Sequence, residues 1–200
     1  MARNAFFGVK NAPIALLTNP DAVTYDKPVK IPGIVTVSIE PETGTSGCFA
    51  DDEPWVETSK KHRGSGTLSF RDIDSDPEIR KLFADILGNE LDANGRTLFT
   101  GKDPKPFAFL CEQNGSAAGT RICLMRCLAQ LPKEELKTTE NEEPDYVQFD
   151  IPVEWRSVTL ADGTRLSRYK DYPNTDSYKT FFDDVATTFT PASEAAAVTE

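Results

Sequence analysis

A single histidine, four cysteines and a run of aspartates are the residues of this 200-residue chain from which a reaction or a metal site could be built. His62 lies within Lys60-Lys61-His62-Arg63, and any Ser/His/Asp or Cys/His arrangement would have to use this one imidazole as its general base. No G-x-S-x-G nucleophile turn accompanies it, so His62 reads as an exposed loop residue. Cys48, Cys111, Cys123 and Cys127 contain no C-x-x-C pair and have no neighbouring histidine to complete a zinc site. Cys123 and Cys127 fall in a strand pattern that places them two pleats apart on one face, as small buried hydrophobes and reduced thiols. Asp72, Asp74 and Asp76 imitate the start of a calcium loop. Pro77 then stands where glycine is required and Phe83 where a bidentate glutamate is required, so these acids suit a helix N-terminus instead. Gly64-Ser65-Gly66-Thr67 lacks the lysine of a phosphate loop and reads as a turn. Asn114-Gly115-Ser116 likewise fits a hairpin turn. No catalytic, metal or cofactor site is expected, and a carboxylate-based hydrolase has no motif to place its pair of acids.

The elements around these residues are mainly strands. From Tyr146 to Arg156 the apolar side chains Val147, Phe149, Ile151, Val153 and Trp155 alternate with Gln148, Asp150, Glu154 and Arg156, which describes one long half-buried strand. Pro152 cannot donate to a ladder and predicts an edge, a bulge or a strand end nearby. Ile34 to Glu40 alternates in the same way, with Thr36, Ser38 and Glu40 on the polar side. Further strands are expected at Ile14 to Thr18, Thr67 to Asp72, Phe107 to Glu112 and Thr120 to Leu131, giving an antiparallel sheet protein. One helix is expected over about 76–87, where Ile79, Leu82, Phe83, Ile86 and Leu87 recur at helical spacing. Ser75 with Glu78 suggests a capping box, Pro77 suits the first turn and Gly88 supplies the stop. A second short helix is expected over Ser177 to Val185, with Phe181, Phe182 and Val185 covering a sheet face.

Two long polar connections, Glu42 to Gly66 and Lys133 to Asp145, separate these elements, and the second holds six acids against two lysines. The first carries Phe49 and Trp55 among Asp51 and Asp52, and aromatics on polar loops are typical interface anchors. Residues 1–185 read as one domain, and Ala186 to Glu200 as a flexible tail. The N-terminal MARNAFFGVKN has no apolar core of a secretory signal, and no stretch reaches the roughly 18 apolar residues of a membrane span. A cytoplasm-like compartment is expected. The formal net charge of −10 repels phosphate backbones and opposes non-specific nucleic-acid or membrane binding.

In its order of segments the chain resembles the major tail proteins, or tail tube proteins, of long-tailed phages with non-contractile tails. The similarity spans about Phe7 to Val185. It is carried by Gly8-Val9-Lys10-Asn11, Val23-Thr24-Tyr25, Pro28 to Gly33 and the strand to Glu40-Pro41, then Phe49-Ala50-Asp51-Asp52, Gly64 to Leu68 and Ile86-Leu87-Gly88. Phe107 to Leu110, the strand through Cys127, Glu143-Pro144 and Asp162-Gly163 complete it. Some members add a C-terminal immunoglobulin-like domain; here the sequence runs instead into the short Ala/Thr-rich stretch from Ala186, so that decoration is not expected. The resemblance implies a β-sandwich or half-barrel core with one flanking helix, closing into hexameric rings that stack into a tube in the virion tail, after synthesis and assembly in the host cytoplasm. It also implies tape measure, tail terminator and tail tip proteins as partners, and phage DNA passing through the lumen without specific binding. On that reading the lumen candidates are Thr36, Ser38, Glu40, Gln148, Asp150 and Glu154, and the candidate contact loop between subunits or rings holds Phe49, Asp51, Asp52, Trp55, His62 and Arg63. The alternative is a carbohydrate- or protein-binding β-sandwich module using Trp55 and exposed tyrosines.

Overall fold

The computed structural model describes residues 6–42, 45–50, 53–59, 62–115, 118–134 and 148–189. The first half holds β1 (Phe6–Lys10), β2 (Ala12–Asn19), β3 (Thr24–Tyr25), β4 (Val29–Ile31), β5 (Ile34–Pro41), β6 (Thr45–Ala50), β7 (Glu53–Ser59) and β8 (Arg63–Phe70). Helix α1 (Pro77–Leu87) follows, then β9 (Glu90–Leu91), β10 (Thr97–Leu98), β11 (Phe107–Gly115), β12 (Arg121–Ala129) and β13 (Phe149–Arg156). The chain continues through β14 (Val158–Thr159), β15 (Arg165–Leu166), β16 (Arg168–Asp171) and a 3-10 turn, Asp176–Thr180. The fold is mainly β, as expected, with one α-helix among the described residues.

The main sheet runs β3-β2-β11-β12-β13-β8-β5 and stays open. Two strands share their edges. β11 pairs with β2 through Phe107–Phe109 and with β1 from Glu112 to Gly115. β12 pairs with β16 from Arg121 to Leu124 and with β13 from Arg126 to Ala129. The helix lies on one face, where Ile79, Leu82, Phe83 and Ile86 join Leu68, Phe70, Phe109, Leu124, Ile151, Val153 and Trp155 in the larger core. Phe70 and Phe83 meet edge to face at 5.6 Å. The opposite face of β11 and β12 holds Ala108, Leu110, Cys123 and Met125, covered by Val158, Leu160, Phe181 and Val185 from the C-terminal segment.

Several local expectations are corrected. The helix cap is Asp76, not Ser75: its Oδ1 accepts from Glu78 N at 2.8 Å and Ile79 N at 3.4 Å. Gly88 closes the helix in the left-handed region, at φ 72°. Asp72 Oδ1 instead accepts from the backbones of Asp74 and Ser75, both at 3.0 Å, and folds the approach to the helix. The Glu42 to Gly66 connection is not loop throughout, because β6 and β7 pair as a hairpin within it. Gly64-Ser65-Gly66-Thr67 is not a turn but lies inside β8. Glycine is needed there for approach rather than bending: a Cβ on Gly64 would fall 2.4 Å from the Trp155 ring, and one on Gly66 2.2 Å from the Ser38 carbonyl oxygen. The expected helix at Ser177 to Val185 is a 3-10 turn followed by further turns, although Phe181 and Val185 do cover the sheet.

Cys123 and Cys127 are buried but face opposite sides of the sheet. Phe107 opposes Cys127 and Phe109 opposes Leu124, so β12 carries one residue more than β11 over this step, and the bulge reverses the alternation between the cysteines. Pro152 sits in a central strand. Its carbonyl accepts from Gln130 N at 2.8 Å just past the end of β12, so the ring nitrogen faces the point where that ladder stops, and the pairing to β8 is intact. Of the predicted tail, residues 186–189 pack back: Ala186 N donates to the Tyr169 hydroxyl at 3.2 Å, and the rings of Phe189 and Tyr169 are 5.1 Å apart. Residues 190–200 lie outside the described residues, as do Tyr146 and Val147.

Candidate functional site

The two polar strand faces singled out in the sequence meet on one surface. β8 lies between β5 and β13, and the three strands are in register. Asp150, Ser69 and Thr36 form one cross-strand row; Pro152, Thr67 and Ser38 form the next; Glu154, Ser65 and Glu40 form the third. Opposed residues share a face, so Thr36, Ser38, Glu40, Asp150 and Glu154 belong to a single polar field, which Ser65, Thr67 and Ser69 complete. The β8 residues were missed in the sequence because glycines break their alternation.

Hydrogen bonds run along this field. Asp150 Oδ1 accepts from Ser69 Oγ at 2.5 Å and from Gln148 Nε2 at 2.7 Å. The Ser69 bond, followed by that from Gln148, holds the Asp150 carboxyl below the usual carboxylate range. Ser38 Oγ donates to Glu40 at 3.1 Å. Glu154 accepts from Arg156 at 3.1 Å and from Gln130 at 3.4 Å. At one end Arg63 Nε donates to Glu42 at 2.7 Å. This field has hydroxyls and carboxylates but, among the described residues, no nucleophile with a base beside it.

The residues predicted as a contact loop are distributed differently. Phe49 is in β6 and Trp55 in β7, flanking the end of the hairpin that joins β5 to β8. His62 and Arg63 are exposed at its base. Asp51 and Asp52 lie outside the described residues.

A second ionic cluster holds the termini of the fold together. Glu112, 4% exposed, accepts from Lys10 at 3.2 Å, Arg121 Nε at 3.0 Å and Asn11 Nδ2 at 3.4 Å. Burial alone would raise its pKa, but the bonds and charges of Lys10 and Arg121 bring it below the usual value. The Arg121 guanidinium lies 3.7 Å from the centre of the Tyr178 ring and 4.5 Å from that of Phe182, and it also donates to the Tyr178 carbonyl. It therefore ties β1 and β11 to the C-terminal segment, a role that only the tertiary pairing could reveal. Burial pushes the thiols of the buried Cys111 and Cys123 up to about 12 and raises Cys127 well above its ordinary value, which disfavours the thiolate. Among the described tyrosines, Tyr25 and Tyr169 spend their hydroxyls on the interior and Tyr172 is exposed. No group of three or more metal-ligating side chains occurs among the described residues.

No family model and no curated protein matches the sequence. Among solved structures, the chain is similar to one described as the cryo-EM structure of the anti-feeding prophage baseplate, 6-fold symmetrised. The two are 10% identical with a TM-score of 0.46, over 88% of this chain and 100% of that chain. At that TM-score the likeness does not establish a common fold.

Proposed function

We propose that the chain is a non-enzymatic structural subunit of a phage tail, and that it self-associates into hexameric rings that stack as a tail tube. The observation that carries this reading is the polar face of β5, β8 and β13, where three rows in register carry hydroxyl and carboxylate side chains around Pro152. A sheet whose outer face is polar gains nothing from a cover within its own chain. Joining its open edge to that of a neighbour would satisfy unpaired backbone groups and place this face along a shared lumen. A lumen of hydroxyls and carboxylates would let DNA pass without being gripped. The β6–β7 hairpin, extending from the same sheet and bearing Phe49 and Trp55, is the proposed contact to an adjacent subunit or ring.

Negative-stain electron microscopy of the purified protein over a range of salt and concentration tests the proposal, with rings or tubes expected. Persistent monomers under all conditions, including in the presence of tail-completing proteins, would refute it. Replacing Trp55 by Ala separates assembly from a ligand-binding module. Loss of polymerisation with the monomer still folded supports the subunit, whereas loss of ligand capture by a stable monomer supports the module.

A further inference from the structure

A row of three arginines crosses one end of the polar face. Arg63 of β8 stands directly opposite Arg156 of β13, and Arg156 directly opposite Arg126 of β12. Side chains so paired share a face with their Cβ atoms about 5 Å apart, where like charges destabilise a sheet. This concentration of cations occurs in a chain of net charge −10.

Local compensation is partial. Glu42 accepts from Arg63 Nε at 2.7 Å, and Glu154 accepts from Arg156 Nη2 at 3.1 Å. Both pairs are exposed and each uses one N–H of a group that has five. Arg126 lacks even this: its Nε is buried with no hydrogen-bond partner. The Tyr25 hydroxyl, which donates to the Met125 carbonyl at 2.8 Å, is not a partner of this Nε either. Buried donors left without an acceptor are rare in folded proteins and mark a place where a partner is missing.

We infer that Arg63, Arg156 and Arg126 form a carboxylate-accepting contact filled by an acidic stretch of a second copy of this chain. Guanidinium groups can match carboxylates two bonds at a time, and the exposed Arg63 and Arg156 each use one N–H out of five on an internal carboxylate. The chain itself supplies the ligand in excess, with 32 acidic residues against 22 basic ones. A nucleic-acid backbone fits less well. The next row of the same face carries Glu154 and Glu40, and Asp150 stands two rows beyond them, so a phosphate chain running along the face away from the arginines would meet carboxylates at once. The inference rests on the self-assembly reading and specifies where two copies meet.

The test compares the full chain with the double variant Arg63→Gln/Arg156→Gln, both sites being exposed, and with Arg126→Lys, which keeps the charge but loses the fork. Light scattering gives the critical concentration for assembly over a salt series, and thermal unfolding checks that each variant is folded. Loss of two charge-assisted contacts should raise the critical concentration about tenfold or more and flatten its salt dependence. Arg126→Lys should raise it with the salt dependence retained. A folded double variant that assembles at the wild-type concentration with the wild-type salt dependence would overturn this inference alone. A wild-type chain that never self-associates would remove the assembly reading and this occupant together. Arginine-dependent binding of a short labelled DNA duplex at physiological salt, read by fluorescence anisotropy, would assign the row to phosphate instead.

Discussion

Gly64 tests how the polar face is held in place. Trp155 is 1% exposed and lies across β8, donating from Nε1 to the Ser65 carbonyl at 3.1 Å. A methyl group on Gly64 would fall 2.4 Å from the Trp155 ring and 2.3 Å from the Glu40 carbonyl oxygen, so ring and strand would both have to give way. Overpacking of this kind costs about 1–3 kcal/mol, and two rigid obstacles place Gly64→Ala near 3 kcal/mol. In a chain of this size that lowers the thermal midpoint by about 6–12 °C. Trp155→Ala alone should cost about 3–5 kcal/mol. In that background the ring obstacle is gone and only the Glu40 carbonyl remains, so adding Gly64→Ala should cost roughly half as much as in the wild type. The coupling is then about 1.5 kcal/mol, well outside the 0.3–0.5 kcal/mol scatter of independent sites. Urea unfolding of the four proteins measures it. A Gly64→Ala variant within about 0.5 kcal/mol of wild type, or additive costs for the pair, would refute the argument that glycine is there to seat the indole.

Three further outcomes follow from the same contacts. Asp76→Ala should cost about 1 kcal/mol in urea unfolding through loss of the helix cap, whereas Ser75→Ala should leave stability within about 0.5 kcal/mol. Glu112→Gln should cost about 3 kcal/mol at neutral pH by leaving Arg121 and Lys10 without their shared buried carboxylate. Because the Glu112 pKa is depressed in the folded state, its contribution is present above the unfolded value, about 4.3, and is lost as pH falls through the folded value. The stability of wild type should therefore fall more steeply than that of the variant below about pH 4.3. Finally, in a Cys48→Ser background, thiol reagent at pH 8 should label none of Cys111, Cys123 and Cys127 until the protein is unfolded, since all three are buried.

Alternation made β5 and β13 readable, because β13 buries its apolar face and β5 packs Val37 and Ile39 partly buried against the same core, and the 3.6-residue spacing of Ile79, Leu82, Phe83 and Ile86 did the same for α1. Other features depend on information that local pattern does not hold. Ser75 and Asp76 are both good caps one position apart, and what decides between them is which backbone bends first. The β6–β7 hairpin has neither clean alternation nor a two-residue turn signature, so its strands read as loop. β8 is interrupted by Gly64 and Gly66, whose role is defined by Trp155, about ninety positions away in the chain. The lumen candidates could be chosen by polarity, but that the two sets share one face depends on β8 lying between them.

The bulge in β12 divides the sheet into two surfaces of different chemistry. Up to Met125 the face away from the helix is apolar, with Ala108, Leu110, Cys123 and Met125, and burying it favours the C-terminal segment that carries Phe181 and Val185. From Arg126 onward the same side of the sheet presents mostly arginine, serine, threonine and carboxylate side chains, with Leu128 and Pro152 among them, and covering these would cost their hydration for little apolar area. The cover therefore stops where its reward stops. Arg126 stands at that boundary, half-buried, with its Nε under the edge of the covered part and its strand partners Arg156 and Arg63 exposed on the bare part. The surface proposed above for a second copy coincides with this uncovered part: it begins at Arg126, runs across β13 and β8, and ends at the edge strand β5.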